Sequence, residues 1–125
     1  MLSNPSFEEL AKQASLLPQE KLLAIQKNKN SLTIGIPKET TFQENRVPLS
    51  PMAVQLLVQN GHRIKIETGA GDRANFPDLD YSKMGAEISY DKQATYNCDI
   101  ILKVAPPTTE EIGWMKPNQV LISAI

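Results

Sequence analysis

Ile34-Gly35-Ile36-Pro37-Lys38-Glu39-Thr40-Thr41-Phe42-Gln43-Glu44-Asn45-Arg46-Val47-Pro48-Leu49-Ser50-Pro51 is the stretch whose reading decides the fold. It opens as a short apolar run with the pattern of a buried strand, and Pro37, which has no N–H to give to a sheet, stops it. A polar loop follows. Ser50-Pro51 then carries the signature of a helix start, with Ser as N-cap and Pro at the first helical position. Strand, polar loop and helix start is the layout by which α/β proteins put functional side chains at the C-terminal edge of a sheet. Lys38, Glu39, Glu44 and Arg46 all fall in that loop.

The pattern repeats outward from there. Leu32–Ile36 reads as the first strand. Ser50 to Asn60 reads as a helix closed by Gly61, with Val54, Leu57 and Val58 on its core face and Ala53 and Met52 nearby. Arg63-Ile64-Lys65-Ile66-Glu67 alternates polar and apolar, as a half-exposed or near-edge strand does. Asp78 to Met84 predicts a short helix closed by Gly85, and Ala86–Ile88 a brief strand. Asp91–Tyr96 predicts another helical turn, and Asp99–Val104 the strongest strand, broken by Pro106-Pro107. A helical turn from Thr108 and a last strand, Gln119–Ile125, complete the series. Strands alternating with helices predict an α/β fold with a doubly wound, mainly parallel sheet of flavodoxin-like or Rossmann-like type. Because the last strand runs apolar to the final residue, the chain reads as a fragment of a longer polypeptide and the sheet as incomplete.

Residues 1–30 differ from the rest. Ser6-Phe7-Glu8-Glu9 has the capping-box form, and Phe7, Leu10, Ala11, Ala14 and Leu17 recur at helical spacing, so a helical N-terminal extension is expected ahead of a domain spanning 31–125. The chain has 125 residues, 41% of them hydrophobic and 22% charged, with a net charge of −1, which argues against a nucleic-acid surface. No apolar run has the length of a membrane span. One cysteine, Cys98, and one histidine, His62, leave no His/Cys metal site, and a lone cysteine fits a cytoplasmic setting. No metal is expected.

Gly69-Ala70-Gly71-Asp72-Arg73-Ala74 fits the permissive G-x-G-x-x-A pattern of dinucleotide sites. That site needs a helix starting at the loop to hold a pyrophosphate, and Pro77 would break such a helix within its first turns. The segment reads as a turn, and no cofactor-binding residue is expected in this chain.

Arg46 is the first candidate site residue, because its rigid fork matches a carboxylate bidentately; pairing with Glu44 or Glu39 on the surface is the competing reading. Lys103 is the second. It stands in an apolar run, where an ammonium is costly unless it finds a partner, although a side chain reaching out from an edge strand gives the same pattern. Both would project from one sheet edge, where two cations suit a small carboxylate or a polarised carbonyl. Lys38 and Glu39 are either loop charges or supports for Arg46. His62 reads as a turn residue and Cys98 as a packed thiol, with nothing beside it to activate it.

Ile34-Gly35-Ile36-Pro37-Lys38-Glu39, Glu44-Asn45-Arg46-Val47 with Leu49-Ser50-Pro51, Asn60-Gly61-His62, Glu67-Thr68-Gly69-Ala70-Gly71, Gly85-Ala86-Glu87-Ile88 and Leu102-Lys103-Val104 occur in that order. The set closely resembles the N-terminal domain of alanine dehydrogenases and of NAD(P) transhydrogenase alpha subunits, over about residues 31–125. The resemblance implies that Arg46 binds the carboxylate of pyruvate or alanine, and that Lys103 contacts and polarises the substrate as a catalytic and substrate-binding residue. It implies reversible oxidative deamination of L-alanine to pyruvate and ammonium by a full-length, NAD-dependent oxidoreductase. NAD is then bound mainly by a downstream domain that this chain lacks, and the chain alone is inactive. A cytoplasmic homo-oligomer, with no membrane or nucleic-acid partner, is implied as well. Ala105-Pro106-Pro107 stands where alanine dehydrogenases commonly have Lys-Glu-Pro, which is nearer to transhydrogenase alpha subunits, and Pro48 replaces a usual Ala. A third reading is a non-catalytic assembly module that docks through residues 1–30.

Overall fold

The computed structural model describes residues 31–41 and 43–123. The expected helical extension over residues 1–30, Phe42 and the last two positions of the final strand lie outside the described residues. Strands β1 (Thr33–Ile36), β2 (Arg63–Glu67), β3 (Glu87–Ser89), β4 (Ile100–Lys103) and β5 (Val120–Ser123) alternate with helices α1 (Pro51–Gln59), α2 (Asp78–Lys83), α3 (Lys92–Thr95) and α4 (Thr109–Gly113). All four strand pairings are parallel, in the order β3-β2-β1-β4-β5. The expected parallel α/β sheet is therefore the observed one.

Helices cover both faces. Ile34, Ile36, Ile64, Ile66, Ile100, Leu102 and Ile122 share a core with Val54 and Leu57 of α1 and Tyr81 of α2. By strand alternation Gly35 and Ile101, which are register partners, face the other way, and there Gly35 meets Thr95 at the end of α3. A Cβ on Gly35 would lie 1.8 Å from the Thr95 carbonyl oxygen and 3.2 Å from Cys98 Sγ, so the backbones meet where only glycine fits. Gly35→Ala is expected to destabilise the domain by about 3 kcal/mol, the upper part of the range for overpacking. A lowered urea midpoint with an unchanged slope would show this, and a wild-type midpoint would contradict it.

Local chemistry sets the element ends. Ser50 accepts a hydrogen bond from the Ala53 N–H at 3.2 Å and Pro51 opens α1, as its N-terminal signature requires. Gly61 and Gly85, with φ of 92° and 101°, turn the chain out of α1 and α2. Met52, placed near the core face of α1 by periodicity, is 76% exposed, because Val54 and Leu57 carry the packing. At β2 the alternation is reproduced, with Ile64 and Ile66 buried and Arg63, Lys65 and Glu67 on the other face. This strand lies second from the edge.

Candidate functional site

The strand order reverses direction between β1 and β4, so the loops leaving their C-terminal ends diverge and open a crevice. That is where open α/β sheets place ligands. The loop after β1 carries Lys38 to Ser50, and β4 ends at Lys103, so the sequence candidates are brought to the switch point.

Arg46 is held by Glu44. Its Nε–H donates to Glu44 Oε1 and its Nη2–H to Oε2, both at 3.0 Å, while the Arg46 backbone N–H also donates to Oε1 at 3.0 Å. The Arg46 side chain is 64% exposed. The pairing with Glu44 is thus present, yet it occupies one edge of the guanidinium and orients the rest. Among the described residues, no hydrogen bond or ion pair engages Nη1, which leaves the Nη1–Nη2 edge open to a ligand. Arg46, Lys38, Glu39, Glu44 and Arg73 line that cleft with the Gly69-Ala70 turn as its wall.

The Arg46 guanidinium, through its side-chain hydrogen bonds, and then the Arg46 backbone N–H lower the Glu44 carboxyl from 4.5 to about 2. A depressed carboxyl contributes stability above its unfolded pKa and loses it as pH falls through the folded one. The stability difference between wild type and Glu44→Gln is therefore expected to be full at pH 6 and to close between about pH 4.5 and 2. Arg46 is open to solvent, so screening keeps this difference small even though the Glu44 side chain is only 10% exposed. Urea unfolding across that range measures it, and a difference that stayed constant down to pH 2 would rule the ion pair out.

Lys103 is placed differently. β4 is an interior strand, its ammonium cannot reach water, and the residue is 1% exposed. It donates to Glu39 Oε1 at 3.0 Å and lies 3.7 Å from Glu111 Oε1. Glu39 also accepts from the backbone N–H of Val104 at 2.8 Å and of Ala105 at 3.4 Å. A buried ammonium needs a carboxylate, and Glu39 supplies it from a loop 64 residues away. Lys103 is not among the residues that line the cleft beside Arg46, and its ammonium is turned to Glu39 and Glu111. Glu39 stands between Lys103 and the Arg46 cleft.

Three further charges continue the line and escaped the sequence reading. Lys92 Nζ lies 2.9 Å from Glu67 Oε1 and 3.9 Å from Glu111 Oε2, and it donates to the Lys38 carbonyl. Glu67 accepts the Lys38 N–H at 2.7 Å. Glu111 serves the capping box of α4, where its Oε1 accepts the Thr108 N–H at 2.8 Å, and so its helix-start signal concealed its second role. Glu67 looked like the exposed half of an alternating strand. Arg73 was visible only within a motif judged to be a turn. Beside this line the buried Tyr96 hydroxyl is made less acidic by burial and by the Glu111 carboxylate.

The remaining candidates behave as packing groups. His62 is 5% exposed at the opposite edge of the sheet, where Nδ1 accepts the Leu32 N–H at 3.0 Å, and burial lowers its pKa. Burial raises that of the Cys98 thiol. Gly69–Ala74 is a turn ending in the three-residue 3-10 segment Asp72–Ala74, with Asn75 left-handed at φ 67°. No helix starts there to receive a pyrophosphate, so this loop lacks the helix N-terminus that the dinucleotide motif requires.

A parallel sheet with helices on both faces and a switch point between β1 and β4 defines a doubly wound α/β domain. Residues 35–125 match the family described as alanine dehydrogenase/PNT, N-terminal domain, and the chain belongs to that family. It is 40% identical over 92 residues to alanine dehydrogenase 2 of Staphylococcus aureus (strain USA300), covering 74% of this chain and 25% of that protein. Among solved structures, an L-alanine dehydrogenase superposes with a TM-score of 0.68 at 38% identity, over 73% of this chain and 25% of the other. A transhydrogenase from Sinorhizobium meliloti superposes with a TM-score of 0.70 at 32% identity, over 74% and 28%. The chain thus spans about a quarter of the length of these relatives.

Proposed function

We propose that this chain is the substrate-side domain, over residues 31–125, of an NAD-dependent alanine dehydrogenase that interconverts L-alanine with pyruvate and ammonium. The observation that carries the reading is Arg46, oriented by Glu44 with a free guanidinium edge at the switch point. That edge suits the carboxylate of a small 2-oxo or 2-amino acid, with two parallel charge-assisted hydrogen bonds fixing its orientation. The similarity to alanine dehydrogenases supports the substrate class.

In this reading Arg46 anchors and orients the substrate. Lys103 acts through Glu39 as a positioning residue, in place of the direct contact implied by resemblance. NAD binds mainly on a further domain, in keeping with the Gly69–Ala74 loop being a turn with no helix starting from it, and the chain alone is inactive. The assembled enzyme is a cytoplasmic homo-oligomer. No helix among the described residues is long and apolar enough to cross a membrane.

A second reading is the alpha subunit of a proton-translocating NAD(P) transhydrogenase. Two observations favour it: Ala105, 2% exposed, stands where alanine dehydrogenases commonly carry a lysine, and the transhydrogenase structure superposes as well as the dehydrogenase. The complete polypeptide carrying these residues separates the two. Pyruvate- and ammonium-dependent oxidation of NADH is the expected result. Hydride transfer from NADH to an NADP analogue, without pyruvate turnover, would overturn the first reading in favour of the second.

A further inference from the structure

The charge line beneath the cleft is more than a set of surface pairs. Glu67, Lys92, Glu111, Lys103 and Glu39 alternate in sign, with successive N···O separations of 2.9, 3.9, 3.7 and 3.0 Å. They come from five places: the end of β2, the first turn of α3, α4, the end of β4 and the loop after β1. The line ends on the two residues at the root of the Arg46 loop. Glu67 takes the N–H of Lys38 and Lys92 takes its carbonyl, so both polar groups of that residue are clamped. One residue on, the Glu39 carboxylate is fixed by Lys103 and two backbone amides.

The far end of the same loop is also tied. Leu49 is fully buried and its carbonyl accepts the Tyr81 hydroxyl at 2.7 Å, while Ser50 caps α1. Between these anchors, among the described residues, Arg46 is oriented by Glu44 alone, a neighbour on the same loop. Where Arg46 sits relative to the sheet is therefore decided by its loop ends, and at the Lys38 end by the Glu67–Lys92 clamp.

We propose that Lys92, with Glu67, is a positioning residue for Arg46: it fixes the Lys38 peptide and thereby the placement of the carboxylate anchor. The inference rests on Arg46 being the substrate anchor. Lys92 touches neither the proposed substrate nor Arg46. Its side chain is 21% exposed and its partners Glu67 and Glu111 are 15% and 3% exposed, so Lys92→Met also lowers stability, and the kinetic readout below separates that loss from lost placement of Arg46. Small displacements of a binding group are expensive in rate and affinity, because the hydrogen-bonded geometry is narrow.

Steady-state kinetics of the complete polypeptide, with pyruvate as the varied substrate, tests this. Lys92→Met is expected to raise the pyruvate KM about tenfold with kcat within about twofold, the mark of lost uniform binding. Glu67→Gln should do the same, and Lys92→Arg should restore most of the affinity, because a cation again bridges Glu67 and the Lys38 carbonyl. Loss of stability alone would not give a KM change that the conservative variant rescues. An unchanged KM in both Lys92→Met and Glu67→Gln, where Arg46→Ala raises it, would overturn the clamp and leave the anchor standing. A fall in kcat at constant KM would also overturn it. If Arg46→Ala itself leaves KM unchanged, the anchor fails and the clamp with it.

Discussion

Replacing Arg46 with alanine should weaken pyruvate binding by about 1.5–3 kcal/mol, the scale of a charged hydrogen bond, which is roughly one to two powers of ten in KM. The fold should survive, since the Arg46 side chain is 64% exposed, although the Glu44 side chain, 10% exposed, loses its partner. Arg46→Lys is the sharper variant. It keeps the charge but gives up the planar fork, so Glu44 and a substrate carboxylate can no longer each hold one edge of the same group. Its KM should lie between wild type and Arg46→Ala. Pyruvate kinetics of the complete polypeptide, set beside urea unfolding of each variant, separates lost binding from lost folding. Equal KM values in all three proteins would remove Arg46 from the site.

The second large effect concerns Lys103. With its side chain 2% exposed and that of Glu39 4% exposed, Lys103→Met leaves a buried carboxylate without its cation. Breaking one side of a buried pair costs about 3–5 kcal/mol, whereas removing both charges costs much less. The double variant Glu39→Gln, Lys103→Met is therefore expected to be more stable than Lys103→Met alone, with a clear coupling in a double-mutant cycle. Urea unfolding measures it. A Lys103→Met protein of wild-type stability that had lost only turnover would instead identify Lys103 as a direct substrate contact, and the positioning role would fall.

These two residues also show how far the sequence can be read. The order of strands and helices follows from Ile34–Pro37, Ser50-Pro51, Gly61, Gly85 and the run ending at Lys103, because each is a local signal whose cause lies within a few residues. The apolar setting of Lys103 raised the alternatives of a buried ammonium with a partner or a side chain reaching out from an edge strand. That the partner is Glu39 was not legible, since the pair is 64 residues apart and depends on β1 and β4 lying side by side. The strand order that places them so is a tertiary choice. Lys92, Glu67 and Glu111 were missed for the same reason: alone, each looks like an ordinary charge on a helix turn or strand end. Arg46 was picked out through its loop, and its competing partner Glu44 turned out to serve as its orienting group.

The central claim, that Arg46 receives the substrate carboxylate at the β1–β4 switch point, is tested most directly by a crystal structure of the complete polypeptide with pyruvate bound. The carboxylate is expected within about 2.7–2.9 Å of the Arg46 guanidinium nitrogens, the range of charge-assisted hydrogen bonds, with Glu44 still on the Nε side and Lys103 still on Glu39. Pyruvate bound elsewhere, with Arg46 still engaged only by Glu44, would contradict it.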